Sequence, residues 1–216
     1  MERIICLLIG YACGLFQTAY IMGKIYHTDI RKQGSGNLGS TNVMRTLGKK
    51  AGALNLLCDC LKCVAAILIV RALFEDRYAD ILPLLSLYAA AGCILGHNFP
   101  FYLNFKGGKG IAASVGLLAA FDWRLLLICA VVFFALFFTT HYVSLCSISA
   151  YVIAFILMVV FGQRGDYHMD QSHMLELYVV MAFLTVLALF RHKKNIQRLL
   201  DGTESKIYLG KKKKNQ

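Results

Sequence analysis

Long apolar runs alternate with short polar stretches along the whole 216-residue chain. The runs cover 4–23, 51–72, 79–101, 109–122, 124–140, 145–163 and 175–191. Crossing a bilayer takes about 20 apolar residues in a helix, with a range of roughly 17–25. The pattern therefore predicts an all-α integral membrane protein with seven transmembrane helices. The fourth, Gly110 to Phe121, is short, and is expected to be tilted, buried by its neighbours or partly re-entrant. The first, from Ile4 to Tyr20, is flanked only by Glu2 and Arg3 and meets no small-residue cleavage site, so it reads as a retained span rather than a signal peptide. No repeat or low-complexity linker interrupts the chain before the Lys211 to Lys214 run. Residues 1–210 read as one polytopic domain and 211–216 as a basic tail.

Composition agrees with the pattern: 58% of residues are hydrophobic and only 16% charged, where soluble domains carry about 25% charged residues. The net charge of +11 could signal nucleic acid. Its placement between and after the apolar runs instead reads as topology-governed loop charge, with sites for anionic ligands. With the N-terminus outside, the inside segments hold 17 Lys and Arg and the outside segments five, namely Arg3, Arg71, Arg77, Arg124 and Arg164. Acidic residues run the other way, eight outside against three inside. This asymmetry predicts a cytoplasmic C-terminus. Lys62 and Asp59 fall inside the second span, spaced i, i+3, where they can pair with each other. Charges at that depth are costly and mark either a functional interior or a structural clamp; the clamp is the preferred reading. All eight cysteines lie in apolar runs, Cys146 at the very start of one. Cys60 and Cys63 form C-x-x-C without a second ligand pair, so they read as helix packing, with no metal expected.

The inside loops carry the chemistry. The first reads Gly34-Ser35-Gly36-Asn37-Leu38-Gly39-Ser40-Thr41-Asn42, followed by Arg45. It matches G-x-G-x-x-G, but no βαβ context surrounds it, so a dinucleotide is not implied. Glycines let successive N–H groups form an anion nest; Gly36 belongs to it, Ser35, Asn37, Thr41 and Asn42 add neutral donors, and Arg45 adds charge. The second loop reads Gly96-His97-Asn98-Phe99-Pro100, then Lys106-Gly107-Gly108-Lys109-Gly110 at the opening of a helix. Close backbone approach, a helix N-terminus and a lysine point charge together predict a phosphate cradle. It is not a Walker A loop, since no Ser or Thr follows Lys109. His97 at a membrane boundary is a candidate ligand or proton carrier. In the third inside segment Ser144 and Ser147 share a face. In the last, helical spacing puts Arg191, Lys194 or Asn195, and Arg198 on one face, with His192 beside them. Contact with anionic lipid would explain Lys211 to Lys214, but explains His192 and Asn195 less well.

In these stretches the sequence resembles the acyl-phosphate-dependent glycerol-3-phosphate acyltransferases, the PlsY family of bacterial membranes. GSGNLGSTNVMRTLGKK, GHNFPFYLNFKGGKGIAAS, YVSLCSI and RHKKNIQRLLDGTESK occur in family order and cover most of the chain. The chain departs from the family pattern at Leu15 after Gly14, at Cys63 and at His141, with weaker anion binding expected near His141.

The resemblance implies acyl transfer from acyl phosphate to the 1-hydroxyl of glycerol 3-phosphate, the first step of phospholipid synthesis, with no cofactor. The partners are those two substrates and the bilayer, not nucleic acid. The setting is the bacterial inner (plasma) membrane with the site facing the cytoplasm; oligomeric state stays open. No G-x-S-x-G elbow and no H-x-x-x-x-D pair occurs, so direct attack without an acyl-enzyme is expected. Lys109, with Lys106, Gly107, Gly108 and Gly110, is assigned to phosphate. Ser35, Asn37 and Arg45 are assigned to the second phosphate and the oxyanion. Ser144, Arg191, His192 and Asn195 complete the pocket, and His97 is the candidate base unless a substrate phosphate takes the proton. Ser35, His97, Lys109 and Asn195 are the expected catalytic set. The competing class is an organic-phosphate transporter using the same loops.

Overall fold

The computed structural model describes residues 1–208, so the Lys211 to Lys214 run and the 211–216 tail lie outside the described residues. Among these the chain is helical, with no strand. The helices are α1 (Glu2–Gly14), α2 (Thr18–Ile25), α3 (Ser40–Leu47), α4 (Lys49–Tyr78), α5 (Leu82–Asn98), α6 (Ile111–Phe121), α7 (Trp123–Thr140), α8 (Val143–Gln163), α9 (Gln171–Arg191) and α10 (Lys193–Leu200).

Five stretches are long and apolar enough to cross a membrane: Glu2–Ile25, Lys49–Leu103, Trp123–Thr140, Val143–Gln163 and Gln171–Arg191. The second has 55 residues, which as one helix would reach roughly 80 Å, far more than a bilayer. It instead turns through Ala79–Ile81 into α5, which opens with a proline in its first turn. There the ring costs no helical hydrogen bond. α6 is a shorter apolar helix of 11 residues, half-wrapped by α4, α5 and α7.

The bundle is apolar outside as well as inside. On α9, Leu175, Val179, Phe183, Val186 and Phe190 are exposed, while Leu177, Met181, Leu184 and Ala188 are buried. On α7, Leu127, Val131, Phe134 and Phe138 form a similar outward stripe. Such stripes are compatible with lipid as the solvent and not with water. Lipid supplies no hydrophobic drive between helices, so close backbone contact must hold them together. α1 and α5 achieve it with paired small residues. A Cβ at Gly10 would lie 1.9 Å from the Ala89 carbonyl oxygen, and one at Gly92 would lie 2.0 Å from that of Leu7.

The structure differs from the expectation of one continuous first span over 4–23. α1 ends at Gly14 and α2 starts at Thr18. The break frees carbonyls that cannot stay unpaired in an apolar interior, and buried side chains satisfy them. Lys62 Nζ donates to Phe16 O at 2.7 Å and Gly14 O at 3.4 Å. The Gln17 amide donates to Gly14 O at 3.1 Å and reaches across to His97 O at 3.1 Å and Gly96 O at 3.3 Å.

The two poles differ in charge. One carries the Arg3–Glu176 pair, joined by the Tyr88 hydroxyl, and Arg124 forked between Asp122 and Asp166. The other carries both glycine-rich loops, the start of α8 and α10. A small second core of Ala19, Met22, Ile30, Leu38, Val43, Ala51 and Leu103 seats the first loop against α2 and α4.

Candidate active site

The first loop is wound around one side chain. Asn42, in the first turn of α3, is buried; its Oδ1 accepts from the Ser35 N–H at 2.9 Å. Its Nδ2 donates to the carbonyls of Ile30 at 3.2 Å and Gln33 at 3.0 Å. Gly34 lies at φ +54°, and a Cβ there would meet Asn42 Oδ1 at 2.3 Å. The Gly36 N–H donates to Gln33 O at 2.9 Å. The expected backbone nest is thus partly consumed by the loop's own folding, and Asn42 is its organiser rather than a free donor. What the loop presents is side chains. Ser35 and Arg45 are exposed, Asn37 and Thr41 half-buried. Asn37 Oδ1 is buried without a hydrogen bond among the described residues.

The second loop is likewise built on itself. The Gly107 and Gly108 N–H groups donate to Asn98 O and His97 O, each at 3.1 Å. These two donors cannot cradle an anion as the sequence pattern suggested. Their carbonyls are held from the other side by Arg191 Nη2, at 2.6 Å from Gly108 O and 3.2 Å from Gly107 O, while the guanidinium lies over the Phe99 ring. Gly110, at φ +82°, caps α6. Lys106 is exposed.

Lys109 points to the C-terminal segment, where it donates to Asn195 Oδ1. The other end of that amide donates to Glu204 Oε1 at 2.6 Å. Glu204 also accepts from the Ser144 hydroxyl at 2.8 Å and from Arg198 Nε at 2.7 Å. One carboxylate thus gathers the start of α8, the middle of α10 and, through Asn195, the second loop. Burial pushes the Glu204 carboxyl up, but hydrogen bonds from Asn195, Arg198 and Ser144 outweigh it and hold it below the usual range. Burial pushes Lys109 down to about 8; Glu204 opposes this, and Arg198, Arg191 and Arg45 reinforce it. The second glycine-rich loop is bonded to the C-terminal segment through Lys109–Asn195 and Arg191, and the charge of Arg45 on α3 reaches Lys109. His192 is buried, with Nδ1 on Ala188 O at 2.8 Å. Burial first, then the Lys109 charge, push it down to about 4, so the ring is neutral at pH 7.

His97 is placed differently from the expected base. It is 2% exposed, its Nδ1 is 2.8 Å from Lys62 Nζ, and its Nε2 edge is covered by Gly108, where a Cβ would come to 2.0 Å. Sequence reasoning also missed Glu204 as a site residue. The signal was available: Glu204, with Asp201, is one of two carboxylates in a segment that carries nine Lys and Arg. His141, the third departure from the family pattern, ends α7 at φ +61° and carries the Tyr208 ring at 4.5 Å.

These features define a polytopic helical membrane protein with a cation-rich polar cluster at one pole. The family model for glycerol-3-phosphate acyltransferase matches residues 4–202. Glycerol-3-phosphate acyltransferases of Clostridioides difficile (strain 630) and Macrococcus caseolyticus (strain JCSC5402) are similar. The first is 42% identical, covering 97% of this chain and 97% of its own. The second is 39% identical, covering 98% and 100%. Two solved structures of PlsY, an integral membrane glycerol 3-phosphate acyltransferase, are 30% identical over 96% of each chain. The glycerol 3-phosphate form has a TM-score of 0.82 and the lysophosphatidic acid form 0.80. This chain belongs to the glycerol-3-phosphate acyltransferase (PlsY) family, the integral membrane acyltransferases of phospholipid synthesis.

Proposed function

We propose that this protein moves a fatty acyl group from acyl phosphate to the 1-hydroxyl of sn-glycerol 3-phosphate, releasing lysophosphatidic acid and phosphate. The observation that carries the reading is the polar cluster at one pole, where Lys109 bonds to Asn195, Arg198 to Glu204 and Arg191 to the Gly107 and Gly108 carbonyls. These three cations have one carboxylate among them, Glu204, which bonds Arg198 directly and Lys109 through Asn195, so the cluster is left short of negative charge. Both substrates supply that charge as phosphate. The solved PlsY forms with glycerol 3-phosphate and lysophosphatidic acid, both phosphate esters, support the same substrate class.

The reaction runs by direct attack. Acyl phosphate is already activated, so the protein's task is positioning and charge stabilisation. The glycerol hydroxyl oxygen bonds to the acyl carbon, the carbon–oxygen bond to phosphate breaks, and the hydroxyl proton passes to the leaving phosphate. Lys109 and Arg198 hold phosphate, with Asn195 oriented between Lys109 and Glu204. Ser35, Asn37 and Arg45 hold the second phosphate and the developing oxyanion, with Gly36 and Thr41 beside them. Ser144 and His192 border the glycerol. The Ser35 hydroxyl has no histidine or carboxylate bonded to it among the described residues, which supports a donor role over a nucleophile. The enclosure of His97 supports substrate phosphate, rather than that ring, as proton acceptor.

In this reading the chain crosses the membrane seven times: α1 with α2, then α4, α5, α6, α7, α8 and α9. Residues 1–210 form the one catalytic domain. The N-terminus is outside, and the basic pole faces the cytoplasm at the bacterial plasma membrane. The 17-to-five partition of Lys and Arg supports this orientation. A broken helix beside an intramembrane charge pair is also a transporter feature. Here the freed carbonyls bond to Lys62 and Gln17 instead of lining a path. The test is to incubate purified protein with acyl phosphate and labelled glycerol 3-phosphate, without coenzyme A or carrier protein. Labelled lysophosphatidic acid supports the proposal; its absence overturns it.

A further inference from the structure

A second polar cluster lies deeper, between α2, α4 and α5, and the proposed chemistry does not use it. Lys62, Asp59, Asn55, Gln17 and His97 are all nearly or fully buried. Lys62 Nζ is 2.8 Å from Asp59 Oδ1 and 2.8 Å from His97 Nδ1. The other Asp59 oxygen accepts from Asn55 Nδ2 at 2.9 Å, and the same amide nitrogen donates to Ser40 Oγ at 2.9 Å. Ser40 opens α3, directly after the first glycine-rich loop. At the far end, His97 lies against Gly108 of the second loop, and its carbonyl receives the Gly108 N–H.

We infer that the buried chain Ser40–Asn55–Asp59–Lys62–His97–Gly108 is a positioning network that sets the two glycine-rich loops at a fixed separation, with Lys62 as its central residue. The inference rests on the acyl-transfer reading of the site those loops share. A simple clamp would need only the two opposite charges, and two apolar residues packed in their place would hold helices as well or better. Lys62 does more than neutralise Asp59. One ammonium ties the broken first span at Phe16 and Gly14, the carboxylate leading to the first loop, and the imidazole under the second. An ammonium has three protons, donates in any of these directions and accepts from none. It therefore sets His97 with Nδ1 as acceptor and the protonated Nε2 edge towards Gly108. Acyl transfer needs the two phosphates and the hydroxyl aligned, and a displacement of about 1 Å costs on the order of 10²-fold in rate.

The experiment compares the parent with the Asp59→Asn/Lys62→Met double variant, which removes both charges together, and with His97→Gln and His97→Leu. In the double variant, thermal stability in detergent stays close to the parent. Hydrogen exchange at the Ser35, Gly107 and Gly108 amides becomes faster, and kcat falls on the order of 10²-fold with KM little changed. His97→Gln, whose amide oxygen can still accept from Lys62, keeps turnover within about tenfold of the parent, whereas His97→Leu loses it as the double variant does. Two outcomes overturn the inference. One is a double variant whose loop amides exchange like the parent's, which tells against the network whether or not the parent transfers acyl groups. The other is equal loss in both His97 variants, which is the signature of a base. If the double variant does not insert, the exchange and turnover of the His97 pair decide alone.

Discussion

The two polar clusters of this protein are built from similar residues and differ in balance. In the inner one, Asp59 and Lys62 offset each other, and the surplus ammonium protons go to backbone carbonyls and His97. The two charges leave no net charge over. In the outer one, Glu204 bonds Arg198 directly and Lys109 through Asn195, with Arg191 held on the neighbouring loop carbonyls, and positive charge remains in surplus. A balanced cluster in a low-dielectric interior fixes geometry, because breaking any member exposes an unpaired charge. An unbalanced one at the membrane boundary is relieved only by an arriving anion. The difference separates positioning from binding without reference to the identity of any ligand.

The largest test of this contrast is Lys109→Ala. It removes the most buried of the outer cations and should abolish acyl transfer, a loss of roughly 10³-fold or more, while the protein still inserts and migrates as a monodisperse species. Retained turnover would dissolve the distinction. Next comes Gly108→Ala. A Cβ there collides with His97 Nε2 at 2.0 Å, so the second loop must shift away from the inner cluster. Turnover should fall about 10²-fold, with glycerol 3-phosphate affinity less affected, in a steady-state assay.

A pH titration sharpens the electrostatic half. Burial holds Lys109 at about 8 in the free protein. It is charged below that pH and neutral above it, and a bound phosphate favours the charged form. Affinity for glycerol 3-phosphate should therefore weaken as pH rises through about 8; His192, held near 4, should add nothing across the same range. Binding that tightens with rising pH would contradict the assignment. The smallest effect is expected for Ser144→Ala, which removes one of three donors to Glu204. A hydrogen bond to a charged group is worth about 1.5–3 kcal/mol, and Arg198 and Asn195 remain. KM should rise up to roughly tenfold with kcat nearly unchanged.

Much of this organisation was legible in the residues because a bilayer imposes a coarse constraint. Each of the seven apolar runs corresponds to helix, and the loops carrying glycines and cations do gather at one pole. What escaped was governed by side chains finding backbone. The break at Leu15 to Gln17 carries no proline, and depends on Lys62 and Gln17 reaching it from other parts of the fold. Glycine-rich loops advertise donors, but whether those donors face outward depends on tertiary contacts, and Asn42, His97 and Asn98 claim several of them. Of the site residues named from sequence, Lys109, Asn195 and Ser144 are linked through Glu204, with Arg191 and His192 at the end of α9. Asn42, Gly107 and Gly108 build the loops and Gly110 caps α6, with His97 beneath them. Ser35, Gly36, Asn37, Thr41 and Arg45 stay with the first loop and the start of α3, and Lys106 is exposed.

The central claim is that the basic pole is a cytoplasm-facing acyl-transfer site. It is tested most directly with purified protein in sealed vesicles of determined orientation, with acyl phosphate in the bilayer and labelled glycerol 3-phosphate added outside. The account predicts labelled lysophosphatidic acid only from molecules whose basic pole faces the added substrate, with no label in the lumen. Label accumulating inside as unmodified glycerol 3-phosphate, without lipid product, would contradict it.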